Sequence, residues 1–247
     1  GYHECAPVVA LLTLLGLLDT TIWLAARSEV YLSMTICFCL ADTPASMWTG
    51  VKCVQLGIWL WAAVSKLGPW FPFVLQAMVC NSWTFPFSLQ SVHRAMYRNA
   101  PTDLRCSRLC EVAAHFGTVA EFGFPLTLAL SGAALTAAGG FTGDVPAGLA
   151  LFVMVGFHIF IFTQIAVGVP QEWNLFTILA GVYLFGMCGG VSLADLAAMP
   201  LGLKALLLTV EVGVPLLGSF VPKYVPFLPC MRYYAGNWPI SIWLIKR

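Results

Sequence analysis

The sequence predicts an all-α integral membrane protein, a bundle of about seven transmembrane helices with one interfacial or re-entrant segment. Of the 247 residues, 60% are apolar and only 9% are charged, whereas a soluble domain carries about 25% charged residues. That composition excludes an ordinary water-soluble domain. Apolar stretches near 20 residues long, the length that crosses a bilayer, recur along the chain. The net charge of +1 offers no basic face, so no nucleic-acid partner is expected.

Three candidate spans come first, at residues 7–26, 30–41 and 47–64. Asp19 interrupts the first span, and the second is short for a crossing helix. The next stretch, 68–87, holds three prolines, which break helices, and two tryptophans of the kind that favour membrane interfaces. We therefore predict that 68–87 is interfacial or re-entrant.

A polar segment, residues 90–110, separates these spans from four more, at 112–138, 145–167, 173–193 and 201–220. The predicted bundle therefore occupies residues 1–222 and includes 90–110 as its water-exposed basic loop. Residues 223–247 carry prolines, aromatic side chains and cations, and we expect them to form an amphipathic tail on the membrane surface.

Charge asymmetry favours seven spans. With seven, ten of the twelve cations fall on one side, as the positive-inside rule expects: Arg27, Lys66, Arg94, Arg98, Arg105, Arg108, Lys223, Arg232, Lys246 and Arg247. The loop 90–110 then lies on the cytoplasmic-equivalent side. An alternative with six spans, in which 30–41 is interfacial, stays open.

Four ionisable residues are candidate ligand-binding groups, because each is costly within a span. His115 and Glu121 share a helix sector with Glu111 and Thr118. Glu121, His158 and Glu211 each lie nine positions from the inner end of their span, which predicts a polar cluster near the mid-plane. The alternative is that these groups only pair and pin helices together.

His115 and His158 are also candidate axial ligands of a porphyrin or chlorin such as chlorophyll, since neutral imidazole binds such metals. A hydrogen-bonded structural histidine is the alternative in each case. No protein metal site is predicted, because Cys106 and Cys110 have no second pair at ligand spacing. Structural lipids are the other expected bound molecules.

Several stretches carry a family resemblance: residues 22–31 (IWLAARSEVY), 65–67 (SKL), 71–74 (FPFV), 169–174 (VPQEWN) and 227–238 (FLPCMRYYAGNW). Together they resemble a family of uncharacterised multi-pass transmembrane proteins best known from actinobacteria. Members of that family are longer at both ends, so the chain matches their central part. The resemblance implies architecture and no activity.

A weaker resemblance is to the membrane domain of vitamin K-dependent carboxylase and its bacterial relatives. Residues 61–67 (WAAVSKL), followed later by His158, carry it. The resemblance implies Lys66 as a candidate catalytic base and His158 as its companion. The large lumenal domain of the carboxylase has no counterpart in this sequence, and positive-inside placement alone also produces a lysine at that position.

Two further motifs have structural interpretations. Glu172 is expected at the amino terminus of the sixth span, where a carboxylate is favourable, and Asn174 is expected to bond a neighbouring helix. In the tail, lipid headgroups or a partner subunit are expected to contact Arg232, Tyr233, Tyr234 and Trp238.

The leading functional hypothesis is a non-catalytic membrane subunit that packs in a larger assembly and binds lipid. Pigment and quinone are further candidate ligands. The chain starts at Gly1 without Met, which suggests a processed precursor and an organelle membrane, thylakoid or mitochondrial inner, with a photosystem or respiratory complex as host. A plasma-membrane location is the alternative. The rival function is a membrane-embedded enzyme or transporter that acts on a lipid-soluble substrate at the buried Glu and His groups. A lipid-binding scaffold is a third option.

Overall fold

The computed structural model describes residues 2–19, 28–131, 144–164 and 168–221, and helices dominate these ranges. A short 3-10 turn, Tyr2–Cys5, leads into α1 (Ala6–Leu18), and α2 (Ser28–Leu40) packs against α1. The first predicted span, 7–26, is therefore helical only as far as Leu18 within the described residues.

The central element is α3 (Pro44–Ser65), which contacts α2, the helix Arg108–Leu130 and most of the helical segments between Gly168 and Gly213. Its amino terminus is fixed by a capping box, in which the Thr43 hydroxyl accepts from the Ser46 backbone N–H and Ser46 bonds back to Thr43. Such a box satisfies two of the donors that a helix start leaves without partners.

The polar region contains a feature that the all-α prediction lacks. After α4 (Phe71–Cys80) and α5 (Gln90–Ala95), β1 (Tyr97–Asn99) and β2 (Asp103–Cys106) form an antiparallel hairpin. The buried amide of Gln76 donates to the carbonyl oxygens of Met96 at 3.0 Å and Leu104 at 3.3 Å, which ties the hairpin to α4. Residues 68–87 are thus a short helix and irregular chain, not one long helix.

The remaining helices pack sequentially around α3. They are α6 (Arg108–Leu130), α7 (Val145–Gln164), α8 (Gly168–Gly181) with a π-helical extension (Val182–Met187), α9 (Leu193–Ala198), α10 (Leu201–Leu207) with a π-helical continuation (Leu208–Gly213), and α11 (Val214–Phe220). Because α8 begins before the predicted start at 173, Glu172 lies beyond the first turn and not at the helix terminus. Its carboxylate instead accepts a hydrogen bond from the Tyr31 hydroxyl at 2.8 Å.

Two helical segments of the described chain are long and apolar enough to cross a membrane, Val145–Gln164 and Leu201–Gly218. Seven spans therefore stay a prediction. The largest fully buried side chains, among them Trp59, Phe185, Leu128 and Met154, form the core around α3. Large apolar side chains such as Phe116, Phe152 and Phe220 are exposed on the outer faces, as lipid-facing positions require.

Hydrogen bonds hold the loop after the π-helical extension of α8 against α3. The ammonium of Lys52 donates to the carbonyl oxygens of Cys188 and Gly190 at 2.9 Å each. Gly190 lies so close to the end of α6 that a methyl group there would overlap the Ser131 carbonyl oxygen. Backbone atoms cannot swing aside as a flexible side chain does. The close approach therefore requires glycine at this position.

Gly190→Ala is expected to lower the melting temperature in detergent, since the new methyl group forces the turn away from α6. Gly202→Ala is the matched control, because Gly202 is helical and faces open space; removing a helical glycine there is expected to stabilise by about 0.5–1 kcal/mol. Equal melting temperatures for the two variants would contradict the close approach.

Candidate functional site

Four polar side chains form a stripe along α3: Lys52, Gln55, Trp59 and Lys66, the last being the residue that caps the helix. At about 100° per residue they fall within about 60° of one another, so they share one face. Lys52, Gln55 and Trp59 are buried, and Lys66 is nearly so. We call this set the polar stripe. Buried polar groups of this kind need partners, and the neighbouring helices supply most of them.

At one end of the polar stripe, Lys66 forms an ion pair with Glu121 of α6. Only 14% of the Lys66 side chain and 3% of the Glu121 side chain are exposed. The ammonium also lies 5.7 Å from the ring centroid of Phe71 and 5.6 Å from that of Phe157, a distance at which cation–π attraction operates. The sequence predicts Lys66 as an interfacial cation, whereas the structure turns it inward beneath aromatic rings.

His158 of α7 is held at both ring nitrogens. The Trp59 indole N–H lies 2.9 Å from Nε2, and the Asn174 Oδ1 lies 2.8 Å from Nδ1. An indole nitrogen can only donate, so Nε2 accepts and the ring proton sits on Nδ1, which donates to Asn174. The imidazole is therefore neutral and fixed in one tautomer.

An axial ligand at His158 would have to displace Trp59 or Asn174, because both ring nitrogens are engaged by protein groups, and axial ligation stays a prediction. Asn174 does bond a neighbouring helix, as its place in the sequence predicts. Within the described chain, no three His, Cys, Asp or Glu side chains are grouped so that they could hold a metal ion.

Phe157 joins the ion pair to the histidine. Its ring lies against the Lys66 ammonium and also 5.8 Å, centroid to centroid, from the His158 ring in an edge-to-face contact. Trp59 and Lys66 are seven residues apart on α3, about 10 Å along the axis. A buried ion pair and a neutral histidine thus flank one aromatic ring inside the bundle. We call Lys66, Glu121 and His158 the buried triad.

One turn from Trp59, the amide of Gln55 is fully buried, and neither its Nε2 nor its Oε1 has a hydrogen-bond partner among the described residues. The Oε1 atom of Gln164, at the end of α7, is in the same condition. Most buried polar groups in proteins do have a partner. The Gln55 amide is therefore a point where the polar group of a bound molecule would gain both a donor and an acceptor.

The structure does not bring His115 and Glu211 to the buried triad. His115 is exposed, because it lies about 120° around α6 from Glu121, beyond the edge of the buried face. Glu211 packs against Gly57, and its carbonyl oxygen accepts from the Trp61 indole at 2.5 Å. Gly57 and Trp59 are about 200° apart on α3, so α3 separates Glu211 from His158.

Other predicted contacts fall elsewhere. Glu111, expected on the inward face with Glu121, reaches Arg98 of the hairpin at 3.5 Å. The tail residues Arg232, Tyr233, Tyr234 and Trp238 lie outside the described residues. Sequence reasoning did not select Trp59 or Gln55, although the three- and four-residue spacing of polar groups after Lys52 is a signal that identifies their face.

Comparison with known proteins gives a family and nothing more specific. A family model described as a transmembrane protein of unknown function (DUF3556) matches residues 2–247. No curated protein matches the chain, and no solved structure does. The match confirms the membrane class expected from the composition and adds no activity.

Proposed function

This chain belongs to the DUF3556 family of transmembrane proteins of unknown function, and from that premise we propose that it is a membrane-embedded enzyme performing acid–base chemistry on a lipid-soluble substrate. The observation that carries the proposal is the buried triad, an ion pair and a fixed neutral histidine around Phe157. Ionisable groups are expensive within a membrane domain and often functional there.

Lys66 and Glu121 form the proton-transfer unit. Transfer of one proton from the Lys66 ammonium to the Glu121 carboxylate leaves a neutral amine and a carboxylic acid. The amine then takes a proton from the substrate, which becomes an anion beside the re-formed ammonium. Charges in a site that excludes water interact strongly, so the ammonium stabilises the anion until it returns the proton to a second atom of the substrate. The product is then an isomer of the substrate, and Lys66 and Glu121 regain their starting charges when the proton on Glu121 passes back to the amine.

His158 and Gln55 bind the polar end of the substrate in this proposal. Nε2 of His158 is an acceptor now used by Trp59, and a substrate hydroxyl would replace the indole N–H there. The Gln55 amide offers the two N–H donors of Nε2 and the acceptor Oε1. The charged residue nearest to Gln55 on the polar stripe is Lys52, and its ammonium already donates to two backbone carbonyl oxygens. A neutral polar end, such as a hydroxyl or carbonyl, therefore fits best.

The test is turnover of lipids from the source membrane. Protein in nanodiscs is incubated with a total lipid extract, and lipid species, including isomers of equal mass, are compared by liquid chromatography with mass spectrometry. Wild type is expected to convert at least one species, and His158→Ala is expected to lower that turnover about tenfold, the effect of one lost hydrogen bond to the substrate. His115→Ala, at an exposed histidine of α6, is the matched control and is expected to keep turnover.

Turnover that is equal in His158→Ala and His115→Ala, with both variants folded by their melting temperatures, would overturn the proposal. No contact among the described residues favours the non-catalytic subunit that the sequence predicts. The proposals that such a subunit belongs to a photosystem or a respiratory complex, or binds pigment, stay predictions. Co-purification of the wild type with other subunits on a native gel, without lipid turnover, would favour them.

A further inference from the structure

We propose that Arg94 and Arg108 together bind the phosphate headgroup of an anionic phospholipid at the base of the hairpin. The backbone brings them to one place. Ser107, beside Arg108, donates from its hydroxyl to the Ala95 carbonyl oxygen at 2.5 Å and from its N–H to the Met96 carbonyl oxygen at 2.9 Å. Arg94 precedes Ala95 directly, so the two arginines flank one hydrogen-bonded junction.

The other arginines of this region are neutralised by protein groups. Arg105 donates to the Asp103 carboxylate at 2.9 Å and 2.7 Å, and these bonds lower the pKa of Asp103 to about 2. Asp103 is therefore ionised at neutral pH and balances Arg105. Arg98 donates to the Cys106 carbonyl oxygen at 3.1 Å and lies 3.5 Å from the Glu111 carboxylate.

Arg94 and Arg108 carry the positive charge of residues 90–110 that no protein group balances. Both are exposed, and neither guanidinium makes a hydrogen bond or ion pair with any residue that the structure describes. Two guanidinium groups at one junction suit a phosphodiester, because guanidinium binds phosphate through paired N–H groups. A lipid anion is favoured over a soluble one by the surroundings of the pair.

Those surroundings are apolar and exposed. Trp83 is 65% exposed and Phe85 is 80% exposed, in the irregular chain just before α5. Leu89, directly before α5, and Leu109, directly after Arg108, are also exposed. Aromatic and apolar side chains at that level insert into the interfacial zone of a bilayer. The arginines beside them then lie at the depth of headgroup phosphates, where cations attract anionic lipid.

The hairpin is held rigidly enough to present the pair. Gln76 of α4 bonds the carbonyl oxygens of Met96, directly before β1, and of Leu104 in β2, and the side chains of Cys106 and Cys110 are buried. The proposal does not involve the buried triad, so either one can fail without the other.

The test uses nanodiscs made from an equimolar mixture of phosphatidylglycerol and phosphatidylcholine, with native mass spectrometry of the lipids that stay bound. Wild type is expected to retain phosphatidylglycerol preferentially. Arg94→Gln/Arg108→Gln is expected to reduce that preference about tenfold or more, from the usual effect of two cations near a membrane surface. Asp103→Asn/Arg105→Gln is the matched control, since it removes a balanced pair and is expected to leave the preference unchanged.

Equal retention of the two lipids by wild type would overturn the proposal. So would an undiminished preference in Arg94→Gln/Arg108→Gln, or an equal loss in the balanced-pair control. Melting temperatures of all variants establish that each is folded. Displacement of phosphatidylglycerol by millimolar inorganic phosphate would also overturn the lipid assignment and indicate a site for soluble anions.

Discussion

Lys66→Met is expected to reduce the free energy of unfolding by about 3–5 kcal/mol, the usual cost of breaking a buried ion pair. The loss comes from Glu121, whose carboxylate is left buried in α6 with its counter-ion gone. Glu121 must then either stay charged in an apolar environment or take up a proton at a cost. Unfolding by sodium dodecyl sulfate in mixed micelles measures the change.

Replacing both charged residues distinguishes the cost of one unpaired buried charge from the net contribution of the ion pair to stability. Lys66→Met/Glu121→Leu is expected to recover most of the loss, because well-packed apolar residues often replace a buried pair at little cost. Lys204→Met is the control and is expected to change stability by less than about 1 kcal/mol, since Lys204 only donates to the Ala197 carbonyl oxygen near the surface. A double variant as unstable as the single one would contradict the burial of the pair.

Trp59→Ala is expected to cost about 3–5 kcal/mol, as large-to-small changes of buried aromatic residues do. Trp59 is among the largest fully buried side chains, with ring centroids 5.2 Å from Phe124 and 5.8 Å from Phe185. Alanine leaves a cavity at the centre of the bundle and also removes the indole N–H from His158. The same mixed-micelle titration measures the loss.

A second substitution distinguishes the destabilisation caused by the cavity from that caused by the lost hydrogen bond. Trp59→Phe keeps most of the ring and is expected to cost only about 1–3 kcal/mol, the usual price of leaving a buried acceptor unsatisfied together with a smaller ring. Trp61→Ala is the matched control, because Trp61 is only partly buried on the other side of α3. A loss at Trp61 equal to that at Trp59 would contradict the position of the core.

Much of the helical architecture could be predicted from hydropathy. The predicted spans 47–64, 145–167 and 201–220 agree with α3, α7 and the α10–α11 segment to within a few residues. The hairpin and the two π-helical stretches could not be predicted, since hydropathy carries no information about which backbone groups pair. The family match supports the membrane class, and the number of spans stays a prediction.

In the candidate site, Glu121 and His158 could be identified from the sequence because burying an ionisable group is costly. That argument did not identify their partners, Lys66 and Trp59. Depth along the axis was the only coordinate that compared residues on different helices, and it grouped Glu211 with Glu121 and His158. The structure adds rotation about each helix, and α3 then lies between Glu211 and His158. Helix α6 begins at Arg108, four residues before the predicted span, so Glu121 meets Lys66 thirteen residues after the start of the helix.

The most direct test of the central claim is proton exchange into a lipid-soluble substrate. Wild-type protein in nanodiscs, supplied with lipid extract in heavy water, is predicted to introduce deuterium at a carbon atom of at least one lipid species, measured after ordinary water has removed deuterium from hydroxyl and amine groups. Lys66→Met/Glu121→Leu, which is expected to be folded, is predicted to introduce none, while Lys204→Met behaves as wild type. Absence of exchange in the wild type, or equal exchange in the double variant, would contradict an acid–base role for the Lys66–Glu121 pair.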